Sequence, residues 1–153
     1  ARLREINQLC GVDAGQAILS KARLALTSAV PAANVDLICA ASSQSWPDSR
    51  FDVVTMIDVL HHIPVSQQKD FVIEAAARVA PGGILIYKDM ARNPLFYALA
   101  NRMHDLVLAQ QWIHYAPFEE VVQTLTTAGL TETRRAGTKL FWYAHEMVVM
   151  RRK

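Results

Sequence analysis

The run Phe51-Asp52-Val53-Val54-Thr55-Met56-Ile57 decides the fold class of this chain. It is rich in β-branched residues, and it lacks the alternation of apolar and polar positions that marks a strand with one wet face. The run therefore predicts a strand that is covered on both faces. Strands of this kind belong to parallel sheets with helices packed on either side.

Strands and helices alternate upstream of this run. Residues 9–13 and 35–39 predict two short buried strands, and residues 16–29 between them predict an amphipathic helix. The polar residues 42–50, with Pro47 among them, predict a loop. This order predicts an α/β fold with a mainly parallel, doubly wound sheet and right-handed crossovers.

The same alternation continues downstream. Ser66 is predicted to cap a helix that Pro81-Gly82-Gly83 ends, and residues 84–87 predict the next strand. The apolar stripe of that helix consists of Phe71, Val72, Ala75, Ala76 and Val79. A further helix is predicted over residues 93–111, beginning with Asn93-Pro94.

The C-terminal part predicts one helix and a β-hairpin. The helix begins near Pro117, carries acidic residues in its first turn and stops at Gly129. Residues 131–136 and 140–150, separated by Gly137, predict two antiparallel strands. The mainly parallel sheet is therefore expected to end in an antiparallel edge hairpin.

Length and composition narrow the class of protein. With 153 residues, 52% of them hydrophobic and 20% charged, the chain is expected to form a single globular domain over residues 1–153. The net charge of +2 is spread along the chain, so no nucleic-acid partner is expected. No apolar run matches a membrane span and no signal-peptide pattern is present, which predicts a cytoplasmic protein. Cys10 and Cys39 lack the spacing of a metal site, so no metal is expected.

Ligand sites of open α/β sheets lie at the carboxyl ends of the strands. This rule directs attention to Asp13, to residues 58–62 and to Lys88 with Asp89. A carboxylate at the end of a strand can accept hydrogen bonds from the two adjacent hydroxyls of a ribose. An aspartate at such a position is a turn or helix-capping residue about as often, and both interpretations of Asp13 stay open at this point.

Three segments in one order resemble the class I S-adenosylmethionine-dependent methyltransferases that act on small molecules. They are Gly11-Val12-Asp13, the strand at 51–57 running into Val59-Leu60-His61-His62-Ile63, and Arg78-Val79-Ala80-Pro81-Gly82-Gly83 before a strand. The resemblance covers nearly the whole chain. It includes His114-Tyr115 ahead of a helix that ends in Ala128-Gly129-Leu130. It implies a Rossmann-like sheet, S-adenosylmethionine as cofactor, and methyl transfer to a small-molecule acceptor by in-line displacement.

The resemblance also assigns cofactor-binding positions. Asp13, followed by Ala14, matches the acidic residue that holds the ribose, and Ile57 with Asp58 matches positions along the methionine portion. Ser42 and Ser43 match the loop beside the adenine, where the family usually has an acidic residue that this chain lacks.

The family's first strand and its glycine-rich GxGxG turn have no counterpart in these residues. They are expected just before Ala1, and no Gly-x-Gly occurs anywhere in the sequence. Three explanations stay open: the given sequence omits this segment, the strands ending at Asp13 and Ile57 pair directly, or another chain fills the gap.

Five side chains are candidate bases for the acceptor, and they are needed only when the acceptor is an oxygen or a similarly reluctant nucleophile. They are His61, His62, Asp89, His114 and Tyr115. A histidine pair after a buried strand is also a common packing feature. Without a third ligand, His61 and His62 do not make a metal site.

Residues 93–112 are predicted to be a helical insertion rich in aromatic residues, methionine and leucine. Such a segment suits either a lid over the substrate or the interface of a homodimer. Two other functions stay open. One is a degenerate methyltransferase-like fold that binds without catalysis, and the other is an NAD-dependent oxidoreductase, which shares the acidic residue after the second strand.

Overall fold

The computed structural model describes residues 6–29, 34–40, 46–90, 116–140 and 143–153, without the side chains of 138–140 and 143–144. Contacts between residues group the chain into two compact units, Ala1–Asp48 and Ser49–Lys153. The predicted single domain over residues 1–153 stays a prediction. The predicted helix at 93–111 and the predicted insertion at 93–112 lie outside the described residues, because residues 91–115 are not among them.

The first unit is a strand–helix–strand segment. Strand β1 spans Gln8–Asp13, helix α1 spans Gln16–Ala29 and strand β2 spans Asn34–Cys39. β1 and β2 pair in parallel, so that both end at the same edge of the sheet. A Cβ at Gly11 would lie 2.8 Å from Leu37 Cδ2, so a larger residue there would displace the end of the Leu37 side chain. All three elements were predicted to within one residue.

The second unit holds a four-stranded sheet and two helices. Its elements are β3 (Phe51–Ile57), a 3₁₀ turn (Leu60–His62), α2 (Val65–Ala77), β4 (Val79–Met90), α3 (Phe118–Thr127), β5 (Leu130–Leu140) and β6 (Tyr143–Arg152). The strand order is β3-β4-β6-β5. β3 and β4 are parallel, whereas β6 is antiparallel to both of its neighbours. The α/β class and the antiparallel edge hairpin are thus confirmed.

The two parallel pairs belong to separate sheets. β1 pairs with β2, and β3 pairs with β4. Direct pairing of the strands that end at Asp13 and Ile57 stays a prediction. Each of the two strands forms its backbone hydrogen bonds with the strand that follows it.

One face of the β3–β4 sheet is covered by helices. Helices α2 and α3 contact each other and pack on the face that carries Met56, Leu85 and Tyr87, all of which are buried. Successive side chains of a strand point to opposite faces. Val53 and Ile57 lie on the other face and are 53% and 52% exposed. Within the part of the chain that the structure describes, α2 and α3 cover one face of this strand, and coverage of its other face stays a prediction.

Helix α2 begins and ends differently from the prediction. Its N-cap position is Pro64, with no side-chain cap, and Ser66 is the second residue inside the helix instead of the cap. The first turn is closed by backbone alone, since the amide of Gln67 donates to the carbonyl of Pro64 at 2.8 Å. The helix ends at Ala77, before Pro81-Gly82-Gly83 is reached.

The Pro-Gly-Gly segment lies within β4 and does not end the preceding helix. A Cβ at Gly83 would lie 2.9 Å from the carbonyl oxygens of both Ala80 and Asp52. The glycine therefore permits the close backbone approach of β4 to β3, where the register of the two strands shifts. The segment was predicted to end a helix because proline and glycine commonly follow helix ends, whereas here they lie inside a strand.

The C-terminal hairpin turns later than predicted. Gly137 pairs with Glu146 inside the ladder, which continues to the pair Leu140 and Tyr143. The predicted break at Gly137 is wrong, because the glycine takes part in the regular pairing. The predicted start and stop of α3 are confirmed, with Pro117 at its N-cap and Gly129 after its end.

Gly129 has a positive φ of 90°, a conformation that residues with a Cβ adopt at a cost of about 1 kcal/mol or more. We expect Gly129→Ala to lower the free energy of unfolding by about that amount. The matched control is Gly137→Ala, whose Cβ would meet nothing closer than 3.8 Å. Urea unfolding monitored by circular dichroism compares them. An equal loss of stability in both variants would contradict the capping role of Gly129.

Candidate active site

The carboxyl ends of β3 and β4 lie side by side at one edge of the sheet. Ile57 pairs with Lys88, and the amide of Asp58 donates to the carbonyl of Lys88 at 2.9 Å. The strands that end near residues 57 and 88 thus finish side by side, as the strand-end rule predicts, whereas a shared crevice that includes the strand end at Asp13 stays a prediction. Asp58 has a φ of 51°, in the left-handed region, although it is not a glycine. Such backbone strain is common where a side chain must be aimed at a functional site.

The side chain of Asp58 meets two basic groups. Lys88 Nζ donates to Asp58 Oδ2 at 2.5 Å, and His145 Nδ1 lies 3.6 Å from Asp58 Oδ1. Asp58 Oδ1 is buried and has no hydrogen-bond partner among the described residues. We name Asp58, Lys88 and His145 the strand-end cluster. All three side chains are partly exposed.

His145 enters the strand-end cluster because β6 is antiparallel. β6 begins beside the end of β4, where His145 pairs with Met90. The pKa of His145 is lowered from its ordinary value of 6.5, first by burial and then by the positive charge of Lys88. His61 lowers it further, whereas Asp58 and Asp89 raise it. His145 is therefore neutral at pH 7 and able to accept a proton.

A second histidine–aspartate pair is buried under the helices. His61 Nδ1 is hydrogen-bonded to Asp89 Oδ1, and the two side chains are 2% and 6% exposed. The amide of Met90 also donates to Asp89 Oδ1, at 2.8 Å. The side-chain amide of Gln68 donates to the carbonyls of Leu60 and Ile63 and so ties the 3₁₀ turn to α2.

The two pairs belong to opposite faces of the sheet. Asp89 alternates with Lys88, so it points to the helix-covered face together with Tyr87. Paired residues of neighbouring strands share a face, which places His145 with Met90 on the face of Lys88. The predicted base candidates His61 and Asp89 thus form a buried pair. His62, which follows His61 in the turn, is exposed, and its ring centroid lies 4.1 Å from that of His61.

Tyr87 is an unsuitable base. Burial, followed by the negative charges of Asp89, Glu146 and Asp58, raises the pKa of its phenol well above the ordinary value. Its ring stacks on Phe118 at the start of α3, with the centroids 5.5 Å apart. Tyr87 therefore anchors α3 to the sheet in its neutral form.

Asp13 lies in the first unit, at the end of β1. Its Oδ1 accepts a hydrogen bond from the amide of Gly15 at 2.6 Å, so the side chain forms the turn into α1. Ala14 is exposed, and its carbonyl accepts a hydrogen bond from Cys39 Sγ at 3.6 Å. The turn-forming interpretation of Asp13 is confirmed for one carboxylate oxygen. Its role in holding a ribose stays a prediction.

The remaining predicted site residues lie outside the described residues. They are Ser42, Ser43, His114 and Tyr115. Within the part of the chain that the structure describes, no group of three or more histidine, cysteine, aspartate or glutamate side chains is placed to hold a metal ion. Across that same part, no helix has the length and apolar character needed to cross a membrane.

The sequence did not assign a role to two members of the strand-end cluster. Lys88 was noticed as a strand end, but its contact with Asp58 follows only from the parallel pairing of β3 and β4. His145 was missed because it begins an antiparallel strand, and the rule for parallel strands considers only carboxyl ends. The predicted hairpin was the sequence signal that could have found His145, because its last strand begins at the same edge of the sheet.

Comparisons with known proteins agree on one kind of domain. A family profile described as a methyltransferase domain matches residues 1–85, more than half of the chain. A ubiquinone biosynthesis O-methyltransferase from Paramagnetospirillum magneticum is 31% identical over 134 residues, which cover 83% of this chain and 52% of that protein. The protein of the same name from Stutzerimonas stutzeri is 34% identical over 93 residues, or 61% of this chain and 39% of its own length. The chain thus spans about half or less of these curated relatives.

Solved structures show the same fold. The N-methyltransferase NodS from Bradyrhizobium japonicum, in complex with S-adenosyl-L-homocysteine, is similar with a TM-score of 0.70 and 20% sequence identity. The match covers 95% of this chain and 66% of that protein. It is a likeness of fold, and it extends beyond the residues that the family profile matches.

Proposed function

This chain belongs to the class I S-adenosylmethionine-dependent methyltransferase family, and from that premise we propose that it transfers a methyl group from S-adenosylmethionine to a hydroxyl oxygen of a small molecule. The observation that carries the proposal is the strand-end cluster at the ligand-binding edge of the β3–β4 sheet, where Asp58 is held by Lys88 and faces His145. Its groups suit the removal of a proton from a hydroxyl.

The residues of the first unit fit the nucleoside part of the donor. Asp13 ends a parallel strand immediately before a helix, the position from which a carboxylate reaches a ribose. The Gly15 amide occupies only part of its capacity, because a carboxylate offers about four acceptor sites. We propose that Asp13 accepts hydrogen bonds from the ribose hydroxyls, with Ala14 beside it.

The end of β3 fits the methionine part of the donor. Ile57 is half exposed and apolar, and Asp58 follows it with a carboxylate at the same edge. When bound, the donor supplies a methyl group on a positively charged sulfur. We propose that Ile57 packs against the donor and that Asp58 lies close to the reacting end. These residues contribute alignment and the exclusion of water, from which most of the rate of an in-line displacement comes.

The acceptor class is inferred from the relatives. Both curated relatives are named as O-methyltransferases of ubiquinone biosynthesis, which supports an oxygen acceptor on a small molecule. The structural neighbour is an N-methyltransferase, so the fold itself is compatible with nitrogen. Family membership leaves no support for the NAD-dependent oxidoreductase alternative. The cytoplasmic location and a homodimer through residues 93–112 remain parts of this proposal that rest on the sequence.

A transfer assay tests the proposed function. The complete protein is incubated with S-adenosylmethionine labelled in its methyl group and, in separate reactions, with catechol, aniline or thiophenol. We expect label on catechol oxygen, with little on aniline nitrogen, because the strand-end cluster provides a proton acceptor that a hydroxyl needs. Label on nitrogen alone would contradict the oxygen acceptor. Donor binding without transfer to any of the three would instead favour the non-catalytic binding module.

A further inference from the structure

The strand-end cluster has the arrangement of a general base with its orienting group, an inference that rests on the proposed function. We propose that His145 takes the proton from the acceptor hydroxyl, that Asp58 orients its imidazole and that Lys88 holds Asp58 in place. His145 is then a catalytic residue, whereas Asp58 and Lys88 are positioning residues.

The contact between Asp58 and His145 defines which ring nitrogen is the base. Nδ1 of His145 faces Asp58 Oδ1 at 3.6 Å, and that oxygen has no hydrogen-bond partner among the described residues. If Nδ1 carries a proton, it can donate a hydrogen bond to Asp58 Oδ1 once the two atoms move closer. Catalytic hydrogen bonds often shorten in this way when substrate binds. In a neutral imidazole this makes Nε2 the proton acceptor.

Asp58 is fixed in the direction that this role requires. Its amide is bonded to the carbonyl of Lys88 and its Oδ2 to Nζ of the same residue, so β4 holds both its backbone and its side chain. The left-handed φ of 51° turns the residue out of the extended conformation of β3. Lys88 engages only Oδ2, which leaves Oδ1 directed to His145.

Accessibility separates His145 from the other histidine–aspartate pair. The side chain of His145 is 24% exposed, whereas that of His61 is 2% exposed beneath the helices. A base must come within about 3 Å of the proton that it removes. Of the two, His145 has the more exposed side chain at the edge of the sheet, and we assign the pair of His61 with Asp89 a structural role.

The acceptor O–H bond breaks and its proton passes to Nε2 of His145, while the oxygen forms a bond to the methyl carbon. The carbon–sulfur bond breaks, and its electron pair stays on sulfur. The protonated imidazole then releases its proton to water.

Burial and nearby charge keep the imidazole ready for this step. The groups that act on it are Asp58 after β3 and Lys88 on β4, with Asp89 and His61 on the other face of the sheet. Burial has the largest effect, and together with Lys88 and His61 it outweighs the two carboxylates and lowers the pKa of His145. The base is therefore neutral at pH 7, and the rate falls only when the pH drops through this lowered pKa.

The first test needs no substrate. Nuclear magnetic resonance of the complete protein with labelled histidine gives the tautomer and pKa of each imidazole, and His145→Gln identifies the signal. We expect the Nδ1–H tautomer and a pKa below 6.5. Asp58→Asn should lower this pKa further, and Lys88→Met should raise it. An Nε2–H tautomer, or a pKa that does not respond to Asp58→Asn, would overturn the proposal.

The second test is kinetic, with catechol as acceptor. His145→Gln should lower kcat by about 10²- to 10⁴-fold with little change in the KM for catechol, and it should remove the acid limb of the pH profile. Glu146→Gln is the matched control, since it removes a titratable group one position along the same strand but on the opposite face. Equal losses in both variants would mean a structural effect of β6 instead of base catalysis.

A thiol acceptor sharpens the result. A thiol ionises more readily than a phenol, so His145→Gln should slow the methylation of thiophenol far less than that of catechol. Calorimetry with S-adenosylhomocysteine keeps this inference apart from the proposed function. Donor binding that survives His145→Gln while catechol turnover and its acid limb are unchanged would reject His145 as the base and leave the methyltransferase function standing.

Discussion

Asp89→Ala should lower the free energy of unfolding by about 2–4 kcal/mol, because it leaves two donors without their shared acceptor. The donors are Nδ1 of His61 and the amide of Met90, both bonded to Asp89 Oδ1. An unsatisfied buried donor costs about 1–3 kcal/mol, and His61 has almost no exposed surface on which water might replace the carboxylate. Urea unfolding of the complete protein measures the loss.

Asp89→Asn is the matched control for this change. The amide oxygen of asparagine keeps one acceptor of the same shape at the same position, so we expect it to lose less than half as much stability. Comparing the two variants separates the stability that the hydrogen bonds of Asp89 contribute from the stability that its side-chain volume contributes. If the alanine variant is as stable as the wild type, the pair of His61 with Asp89 does not support the turn after β3.

Asp13→Ala should weaken the binding of S-adenosylhomocysteine by at least about tenfold, the effect of losing a pair of charge-assisted hydrogen bonds to the ribose. Asp36→Ala is the matched control, since it removes the same charge from an exposed position on the neighbouring strand β2. Isothermal titration calorimetry compares the two variants with the wild type. An unchanged affinity for Asp13→Ala would mean that Asp13 only forms the turn into α1, through its hydrogen bond with Gly15.

Local sequence patterns predicted the elements well where side-chain chemistry alone decides them. The strands at Gln8–Asp13, Asn34–Cys39 and Phe51–Ile57 and the helix at Gln16–Ala29 each agree with the structure to within one residue. In these segments the periodicity of apolar residues and the flanking turn residues agree with each other. The α/β class and the antiparallel hairpin followed from their order.

The errors fall where tertiary contacts override a local signal. Gly83 looked like a helix stop, yet it is required by the close approach of two strands that are distant in sequence. Ser66 had the right chemistry for a cap, but Pro64 already occupies that position.

The sequence predicted which residues lie at the candidate site better than it predicted which of their side chains contact each other. The strand-end rule singled out Asp58 and Lys88, and it is correct that their strands end together. It did not indicate that the two side chains form an ion pair, because the pairing register decides this. His145 lies more than fifty residues from either in the chain, and only the antiparallel return of β6 brings it to Asp58. Local sequence patterns do not determine strand register between segments this far apart in the chain.

The central claim is that this chain is part of a protein that binds S-adenosylmethionine and its demethylated product. The most direct measurement is isothermal titration calorimetry of the complete protein with S-adenosylhomocysteine. The account predicts saturable binding of one molecule per chain. The absence of binding by folded, complete protein would contradict it, together with every role proposed for Asp13, Asp58 and His145.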